Sequence, residues 1–385
     1  MGSSGCIHLS DVCELIVDCP HSTAKDEGEG YPLIRTPNIG PGYLDLSSVH
    51  RVSRSVYEKR NARATPQPGD IILAREAPAG NAGIIPKGQE VCLGQRTVLI
   101  RPIRQVADPL FINYYLNAPQ QRQHLLNSAN GATVSHVNMS SIRSLPVQLP
   151  DIEKQRKTAR ILDAFDSLIR CNERINDYLL DLATAQFEAA LQTECREVRF
   201  GDIIELEDSK RIPLNSRDRE QRKGPYPYYG ATSVMDYVDD YLFDGIRILL
   251  GEDGSVITDD GYPVLQYVWG KYWVNNHAHI LKPCGEYPME MLYVALSRTA
   301  IPHIVTGAVQ KKISQKNLSS LILEMPNPED VKGLEDLFTL HRNNVDENKE
   351  LEQLRDCLLP KLMSGKIDVS EVELPTLPNN HLSAD

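Results

Sequence analysis

The sequence predicts an α+β protein made of two similar globular domains, each followed by a long α-helix, with the two helices packed as an antiparallel coiled coil. One observation behind this prediction is an amphipathic stretch that runs from Asp151 to Leu191 without a glycine or proline. The other is a weak internal repeat, offset by 176 residues, that includes this stretch. A repeat of that length indicates two copies of one structural unit, which we expect to be related by a pseudo-twofold axis.

The first long helix is predicted over residues 151–192. Its apolar residues recur at three- and four-residue steps, which places them on one face of the helix. These predicted pairing residues are Leu162, Phe165, Ile169, Leu179 and Leu182. At ~1.5 Å per residue such a helix would span roughly 60 Å, so we expect it to act as a spacer.

The repeat aligns residues 131–150 with residues 307–326 without a gap and continues into the helix that follows each segment. Identities are few, but the apolar positions stay in phase. The second helix is therefore predicted over residues 327–366, where the sequence NPED supplies a capping asparagine and an N-terminal proline. Its predicted pairing residues are Phe338, Val345, Leu351 and Leu358.

Two asparagines fall at equivalent positions near the middle of the predicted helices. They are Asn172 in the first helix and Asn348 in the second. A polar residue inside an apolar seam costs stability but fixes the register of the pair, so both are predicted to lie in the seam. The alternative is that both face solvent.

The remaining domain boundaries follow from these helices. The first globular domain is predicted over residues 6–150 and the second over residues 196–326. Their opening segments, IHLSDVCELIV and VRFGDIIELED, resemble each other, and both domains contain short β-rich runs between Gly and Pro turns. An acidic tail over residues 367–385 is expected to be disordered.

The composition restricts the class of protein. The eight cysteines are scattered without a C-x-x-C pair, and no run reaches the about 18 apolar residues of a membrane span. No secretory leader is recognisable, so we expect a cytoplasmic protein with reduced thiols. The net charge of −11 is concentrated, because residues 236–260 carry −7 and the tail carries −4. The rest of the chain is neutral and can carry basic patches.

Two basic stretches are candidates for DNA contact, because cations bind phosphates while aromatic rings and amides meet bases and sugars. The candidates in the first domain are Arg35, Arg51, Arg54, Lys59, Arg60, Arg63, Thr133 and His136. Those in the second are Lys210, Arg211, Arg217, Arg219, Arg222, Tyr228, Tyr229, Lys311 and Lys312. The alternative is a solvated face for the charged residues and a place in the core for the aromatic ones.

No catalytic constellation is recognisable. The sequence lacks a P-loop, an H-E-x-x-H motif, a G-x-S-x-G motif and the Asn/Asp-Pro-Pro-aromatic segment of amino-methyltransferases. His277 and His279 alternate onto one face of a predicted strand, but no ligand lies at metal spacing beside them, so we expect structural roles. We therefore expect no catalytic residue, no metal and no cofactor in this chain.

Several long segments carry a resemblance to a known family. In the first domain they are GDIILAREAPAGNAG (69–83) and CLGQRTVLIRP (92–102), and in the second YPYYGATSVMDYVDDYLFDGIRILLGEDGS (226–255) and WVNNHAHIL (273–281). The helical segments are LPDIEKQRKTARILDAFDSLIRCNERIN (149–176) and LLPKLMSGKI (358–367). Over essentially its whole length the chain resembles the specificity (S) subunit of type I restriction-modification systems.

The resemblance implies a function. Each globular domain would be a target-recognition domain that reads one half of a bipartite site in double-stranded DNA, and the helices would hold the two halves at a set spacing. The helices would also dock two methyltransferase subunits, which bind S-adenosylmethionine and methylate adenine, and motor-nuclease subunits would add restriction. The chain itself would be non-catalytic. One departure is that E-D-V-K (329–332) replaces the E-K-Q-R (153–156) of the first helix, so its contact with a methyltransferase subunit can differ.

Two functions from other classes stay open on the residues alone. The chain could be an autonomous DNA-modifying enzyme with an unrecognised site, which would methylate DNA without a partner. It could also be a coiled-coil scaffold whose globular ends bind protein. DNA binding that weakens steeply with salt separates a DNA reader from such a scaffold.

Overall fold

The computed structural model describes residues 7–76, 79–127, 136–307 and 310–373. The candidate contact Thr133, the first residue of the predicted first domain and most of the predicted acidic tail lie outside the described residues. The chain divides into two compact units: unit 1 comprises residues 1–170 and 348–385, and unit 2 comprises residues 171–347. Each unit therefore contains one globular domain and a part of both long helices.

Unit 1 contains two small sheets. Its described strands are β1 (Cys13–Asp18), β2 (Tyr31–Ile34), β3 (His50–Val52), β4 (Ile71–Ala74), β5 (Ala82–Ile84), β6 (Cys92–Leu93) and β7 (Thr97–Pro102). Its helices are α1 (Arg54–Arg60), α2 (Pro109–Asn117), α3 (Pro119–Asn127), α4 (Met139–Arg143) and the first part of α5 (Ile152–Leu191). One sheet is antiparallel with the order β1-β7-β4-β5. The other has the order β3-β2-β6, and its β2 and β6 run parallel.

Unit 2 repeats these elements and adds others. Its strands are β8 (Cys195–Arg199), β9 (Ile204–Leu206), β10 (Lys223–Tyr229), β11 (Val234–Val238), β12 (Phe243–Asp244), β13 (Arg247–Gly251), β14 (Leu265–Val268), β15 (Lys271–Val274), β16 (Ala278–Pro283), β17 (Val305–Thr306), β18 (Lys312–Ile313) and β19 (Ile322–Pro326). Its helices are α6 (Phe200–Ile203), α7 (Ser216–Gln221), α8 (Met289–Ser297), α9 (Gln315–Ser319) and the first part of α10 (Leu334–Met363).

Two sheets of unit 2 repeat the topology of the two sheets of unit 1, and β12 extends one of them. The order β9-β16-β13-β14 repeats β1-β7-β4-β5, and β11-β10-β15 repeats β3-β2-β6, including the parallel pairing of its last two strands. The five-residue helices α4 and α9 are offset by the same 176 residues that relate the two halves of the sequence. The prediction of two similar α+β domains is confirmed.

Each unit has its own core, in which a sheet packs on a helix. In unit 1, Ile71 and Ile100 of the antiparallel sheet pack with Phe111 of α2. This helix begins at residue 109 because proline suits the first helical position and the Asp108 side chain accepts a hydrogen bond from the Phe111 N–H. In unit 2, Ile248 and Leu281 pack with Leu292 of α8 in the same way. Burying one such side chain stabilises the fold by about 1.5–3 kcal/mol.

The first long helix has the predicted bounds, but the second begins later than predicted. Residues Pro328–Asp330 form a 3-10 turn capped by Asn327, and Gly333 has a φ of +84°. A positive φ cannot continue an α-helix, so α10 begins only at Leu334. Among the described residues, no helix combines the length and the apolar character that a membrane span needs.

The departure at the start of the second helix has a structural reason. Gln155 of α5 is buried, and its side chain bonds the Asp108 N–H and the carbonyls of Val106 and Pro150. This glutamine therefore anchors α5 to its own domain. At the repeat-equivalent position Val331 is buried in the core of unit 2, so packing replaces the hydrogen bonds.

The packing of α5 against α10 follows most of the predicted seam. Leu162, Ile169, Leu179 and Phe338 are buried, and Phe165, Val345, Leu351 and Leu358 are half-buried. Leu182 contradicts the prediction, because it is 46% exposed while the next residue, Ala183, is fully buried. Neighbouring residues of an α-helix are turned about 100° apart, so the seam continues through Ala183 and Phe187 instead.

Asparagines do lie in this seam, and within each unit the residue pairs show that the helices run antiparallel. In unit 1, the Asn348 side chain donates to the Ile169 carbonyl (3.3 Å) and Arg355 donates to Asp166 (2.6 Å), so residue numbers rise along α10 as they fall along α5. In unit 2, Asn172 is 5% exposed and donates to Glu347 (2.8 Å), and the buried Asn344 donates to Asn176 (2.8 Å). The seam thus carries a run of polar pairs that fixes its register.

Candidate nucleic-acid interface

The basic residues around α1 of unit 1 divide into exposed and buried members. Arg54, Lys59 and Arg63 are exposed, and Arg54 forms an ion pair with Glu58 one helical turn later (2.9 Å). Arg51 is half-buried and donates to the Gly30 carbonyl. These four cations remain candidates for phosphate contact, since an exposed ion pair is weak enough to open.

Arg60 is a correction to the predicted contacts. It is 6% exposed, and its guanidinium donates to the carbonyls of Leu93 (2.6 Å), Ser22 (3.0 Å) and Pro20 (3.4 Å). Burial lowers the pKa of this group. Residue 60 faces inward because it ends the helix on the side that packs against β6, so Arg60 holds one carbonyl of β6 and two loop carbonyls and does not reach DNA.

Most basic candidates of unit 2 are tied to carboxylates. Lys210 pairs with Glu207 (2.6 Å), Arg219 with Asp236 (3.3 Å) and Arg222 with Asp239 (2.9 Å). Arg217 is exposed and forms no ion pair with a described residue. Lys311 is also exposed. The unit therefore presents cations on a surface whose acids already neutralise many of them.

The two tyrosine candidates differ in burial. Tyr228 is 1% exposed, and its hydroxyl oxygen accepts a hydrogen bond from the Leu214 N–H (2.9 Å). It is a core residue, so the predicted DNA contact at this position is wrong. Tyr229 is half-buried with its ring edge-on to Tyr272, and burial raises its pKa to about 12.

A cluster of charged side chains lies at one end of the strands β1 and β4 in unit 1. The Arg75 guanidinium donates to both carboxylate oxygens of Asp18 (2.8 Å each) and to Nε2 of His136 (2.6 Å). Arginine can only donate, so Nε2 accepts and Nδ1 of His136 carries the hydrogen that Glu76 accepts (2.5 Å). The candidate His136 is therefore half-buried between Arg75 and Glu76. We call Asp18 and Arg75 the inner cluster of unit 1.

Unit 2 has an inner cluster at the same place, formed by Asp208, Arg211, Glu252 and His279. His279 bonds Asp208 through Nδ1 (2.6 Å) and the Ile313 carbonyl through Nε2 (2.9 Å). Arg211 and Lys312 pair with Glu252 at 2.7 and 3.2 Å, which places both candidates in or beside this cluster.

Hydrogen bonds control the ionisation of these buried acids. Burial by itself raises the pKa of Asp208, but its bonds to His279, the Ile280 N–H and Gln315 hold the pKa below the usual value. Burial likewise acts to raise the pKa of Glu252, and Arg211, His279 and Lys312 lower it overall.

The inner cluster of unit 2 also has the ligand atoms of a metal site, since Asp208, Glu252 and His279 offer one atom each within 4.8 Å. The two ring nitrogens of His279 are both occupied by protein acceptors, and Arg211 and Lys312 already bring positive charge to Glu252. The donor set therefore fits an ion network formed by the protein's own cations.

Comparison with known proteins identifies the family. The family model described as the type I restriction modification DNA specificity domain matches residues 6–180 and again residues 193–354. The two matches coincide with the two repeats of the fold. The chain belongs to this family.

Other specificity subunits resemble the chain over different lengths. The putative type I restriction enzyme MjaX specificity subunit of Methanocaldococcus jannaschii is 22% identical over 398 residues, which cover 94% of this chain and 93% of that protein. The EcoBI specificity subunit of Escherichia coli is 24% identical over 192 residues, or 48% of this chain and 40% of that protein. Among solved structures, the S subunit of a type I restriction-modification system from M. genitalium shares the fold, with a TM-score of 0.50, 17% identity, and coverage of 92% of this chain and 95% of that chain.

Membership of the specificity family establishes DNA recognition as the general role of the chain, and specificity subunits are in general non-catalytic. Sequence reasoning found basic stretches, set Glu76 aside as a lone carboxylate, and missed Asp18, Arg75 and Arg96, which meet Glu76 at one end of the strands β1, β4 and β7. A sequence signal existed for Arg96 alone, since Gly94 and Gln95 before it mark a turn that can place a side chain at the surface.

Proposed function

We propose that this chain is the DNA sequence-recognition subunit of a type I restriction-modification complex, in which each domain reads one half of a bipartite site. The observation that carries the proposal is the duplication: the specificity-domain family model matches twice, on two domains that share the order of their two main sheets. Two readers of one fold with different surface residues suit two half-sites of different sequence. Helices α5 and α10 set the spacing between the half-sites.

The long helices have exposed apolar residues that could contact a partner. Within unit 2, Ile175, Tyr178 and Leu182 of α5 are exposed and follow one another at three- and four-residue steps, so they form one stripe. In unit 1, Leu354 of α10 is 53% exposed, and it is the repeat equivalent of Tyr178. Such stripes support a docking surface for a methyltransferase subunit in each unit.

The partners supply the chemistry in this proposal. Two methyltransferase subunits bind S-adenosylmethionine and transfer its methyl group to adenine, and motor-nuclease subunits cut unmodified DNA. This chain binds DNA, fixes its register and brings the methyltransferase subunits to it.

A methyl-transfer assay tests the proposal. Labelled S-adenosylmethionine and DNA are incubated with the chain alone, with the methyltransferase subunits alone, and with both together. We expect sequence-specific methylation only from the combination. Methylation by the chain alone would instead indicate an autonomous enzyme, and DNA binding that does not weaken with salt would indicate a scaffold.

A pair of variants tests the docking stripe. Tyr178→Glu places a charge on a residue that is 65% exposed, so the fold should tolerate it, while the methyltransferase subunit docked on unit 2 is lost and only one methyltransferase subunit copurifies with the chain. Glu173→Lys is the matched control, because residue 173 is exposed and lies about 140° around the helix from residue 178. Copurification of two methyltransferase subunits with the Tyr178→Glu chain would place the docking surface of unit 2 elsewhere.

A further inference from the structure

An exposed ion pair occurs at equivalent positions in the two units. In unit 1, Arg96 Nε lies 2.8 Å from Glu76 Oε2, and in unit 2, His277 Nδ1 lies 2.6 Å from Asp253 Oδ1. We call these the outer ion pairs. Neither was among the residues predicted from the basic stretches, and neither belongs to the inner clusters.

The equivalence of the outer ion pairs follows from backbone hydrogen bonds. The Arg75 N–H donates to the Arg96 carbonyl, and the Glu252 N–H donates to the His277 carbonyl, each at 2.8 Å. Both basic residues directly precede a central strand of their sheet, β7 for Arg96 and β16 for His277. Both acids follow the neighbouring strand, β4 or β13, at the same distance along the chain. The fold therefore builds the same pair twice.

The burial of the outer ion pairs is matched as well. The side chains of Arg96 and His277 are 58% and 45% exposed, whereas those of Glu76 and Asp253 are 18% and 20% exposed. In each pair the acidic side chain is mostly buried and the basic side chain is the more exposed partner. An exposed ion pair adds little to stability, so the folding of the domain gives no strong reason to build it twice.

The geometry of Arg96 leaves its recognition edge open. Glu76 takes Nε, and Nη1 and Nη2 have no hydrogen-bond partner among the described residues. Two parallel N–H donors are the arrangement that binds O6 and N7 of guanine in the major groove. Glu76, whose other carboxylate oxygen bonds His136 Nδ1, lies beside Nε and restricts the positions that the guanidinium can adopt. In unit 2, Asp253 takes Nδ1 of His277 and leaves Nε2 as one open nitrogen.

The backbone at Arg96 is strained in a way that favours a functional role. Its φ is +65°, and it is the one non-glycine residue with positive φ among the described parts of the chain. Glycine would adopt this conformation without strain, so an arginine here has a use for its side chain.

Taken with the DNA-reading role proposed above, on which this step rests, the geometry points to Arg96 and His277 as base-contacting residues, one for each half-site. Glu76 and Asp253 are positioning residues that restrict the orientation of the two basic side chains. Arg96 reads a guanine with two donors, and His277 reads its base with a single ring nitrogen. Because the side chains differ at equivalent places, the two domains read different bases with one fold.

The test is selection of bound sequences from a pool of randomised DNA duplexes, using the full-length chain assembled with its methyltransferase subunits. The wild-type complex should enrich a bipartite motif. Arg96→Lys keeps the charge but loses the two-donor edge, so discrimination for one G·C pair in one half-site should fall by roughly 5- to 150-fold. The other half-site should be unchanged and shows that the complex is intact. His277→Ala should change one position of the other half-site only.

Two further variants guard the interpretation. Arg196→Lys is the matched control, because Arg196 is also an exposed arginine paired with a glutamate, Glu194, at 2.9 Å. The complex with this variant should enrich the same DNA motif as the wild type. Arg96→Asn repeats the test with a residue that tolerates positive φ.

Four results would overturn the inference. An unchanged motif in Arg96→Lys and Arg96→Asn would remove Arg96 from base reading. An equal loss of affinity for all sequences would make it a phosphate contact. Loss of folding in every Arg96 variant would make it structural. Failure of the wild-type complex to enrich any motif is the separate result that overturns the proposed function and, with it, this inference.

Discussion

At the scale of the residue, arginines in this chain have two distinct environments that the sequence does not distinguish. Arg54 and Arg60 lie six residues apart in one basic run, yet the first is exposed and the second is buried against three carbonyls. A short helix such as α1 has no hydrophobic pattern long enough to show which side faces inward. The direction of each side chain depends on where β6 packs, which is a tertiary fact.

Arg60→Ala should therefore destabilise the chain without acting first on DNA. It leaves three carbonyls without their donor, so we expect the free energy of unfolding to fall by about 2–4 kcal/mol. The measurement is chemical denaturation, with Lys59→Ala as the exposed neighbour whose stability should not change. Loss of DNA affinity at unchanged stability would restore Arg60 as a phosphate contact.

The inner cluster of unit 2 predicts a dependence of stability on pH. The pKa values of Asp208 and Glu252 are lowered in the folded chain from 3.8 and 4.5, because their hydrogen bonds and nearby cations outweigh burial. A group whose pKa is lower in the folded state stabilises the fold at pH values above its unfolded-state pKa. This stabilisation is lost as the pH falls through the folded-state pKa.

We therefore expect the melting temperature of the wild type to fall more steeply below about pH 4.5 than that of Asp208→Asn, which has lost one of the two groups. Asp259→Asn, an exposed acid outside the cluster, should retain the wild-type slope. Equal slopes in wild type and Asp208→Asn would show that the cluster does not contribute.

At the scale of the element, the long helices were the most predictable part of the chain. A period of three to four residues sustained over forty residues leaves little choice of structure, and α5 has the bounds that this period predicts. The seam shifts by one position near Leu182, because a seven-residue repeat of apolar positions does not match a straight helix with 3.6 residues per turn. The late start of α10 depends on the conformation of Gly333, which the repeat alone does not reveal.

The buried asparagine pair in unit 2 predicts energetic coupling between α5 and α10. Asn344→Leu leaves the side-chain oxygen of Asn176 without its donor in the seam, so we expect a loss of about 1–3 kcal/mol. The double replacement of Asn176 and Asn344 by leucine should cost less than the sum of the single changes. A double-mutant cycle by chemical denaturation measures this difference, and strictly additive costs would contradict the pairing.

At the scale of the whole molecule, the duplication was visible in the sequence because apolar positions keep their phase even when identities are lost. The outer ion pairs were not visible. Glu76 and Arg96 are far apart in the chain and meet only through the antiparallel register of β4 and β7. Sites built by strand register cannot be found from spacing alone, whereas a repeated core can.

Domain independence gives a prediction at this scale. Replacing residues 7–150 with the corresponding domain of another family member should alter one half of the recognised site and leave the other half unchanged. Methylome sequencing of cells that carry the complete system measures both halves at once. A change in both halves would show that the domains do not read separately.

The inner clusters carry a consequence for how such proteins diversify. Asp18 at the end of β1 neutralises Arg75, which follows β4, in unit 1. In unit 2, Asp208 is paired with His279 of β16 and with Arg211 of its own turn, so in both units a buried charge depends on a partner from a distant segment. Recombination that exchanges one strand would leave a buried charge without its counterion, whereas exchange of an entire lobe moves every charge together with its counterion. New specificities in this lineage are therefore expected to arise by shuffling complete lobes, with breakpoints in the helices between them.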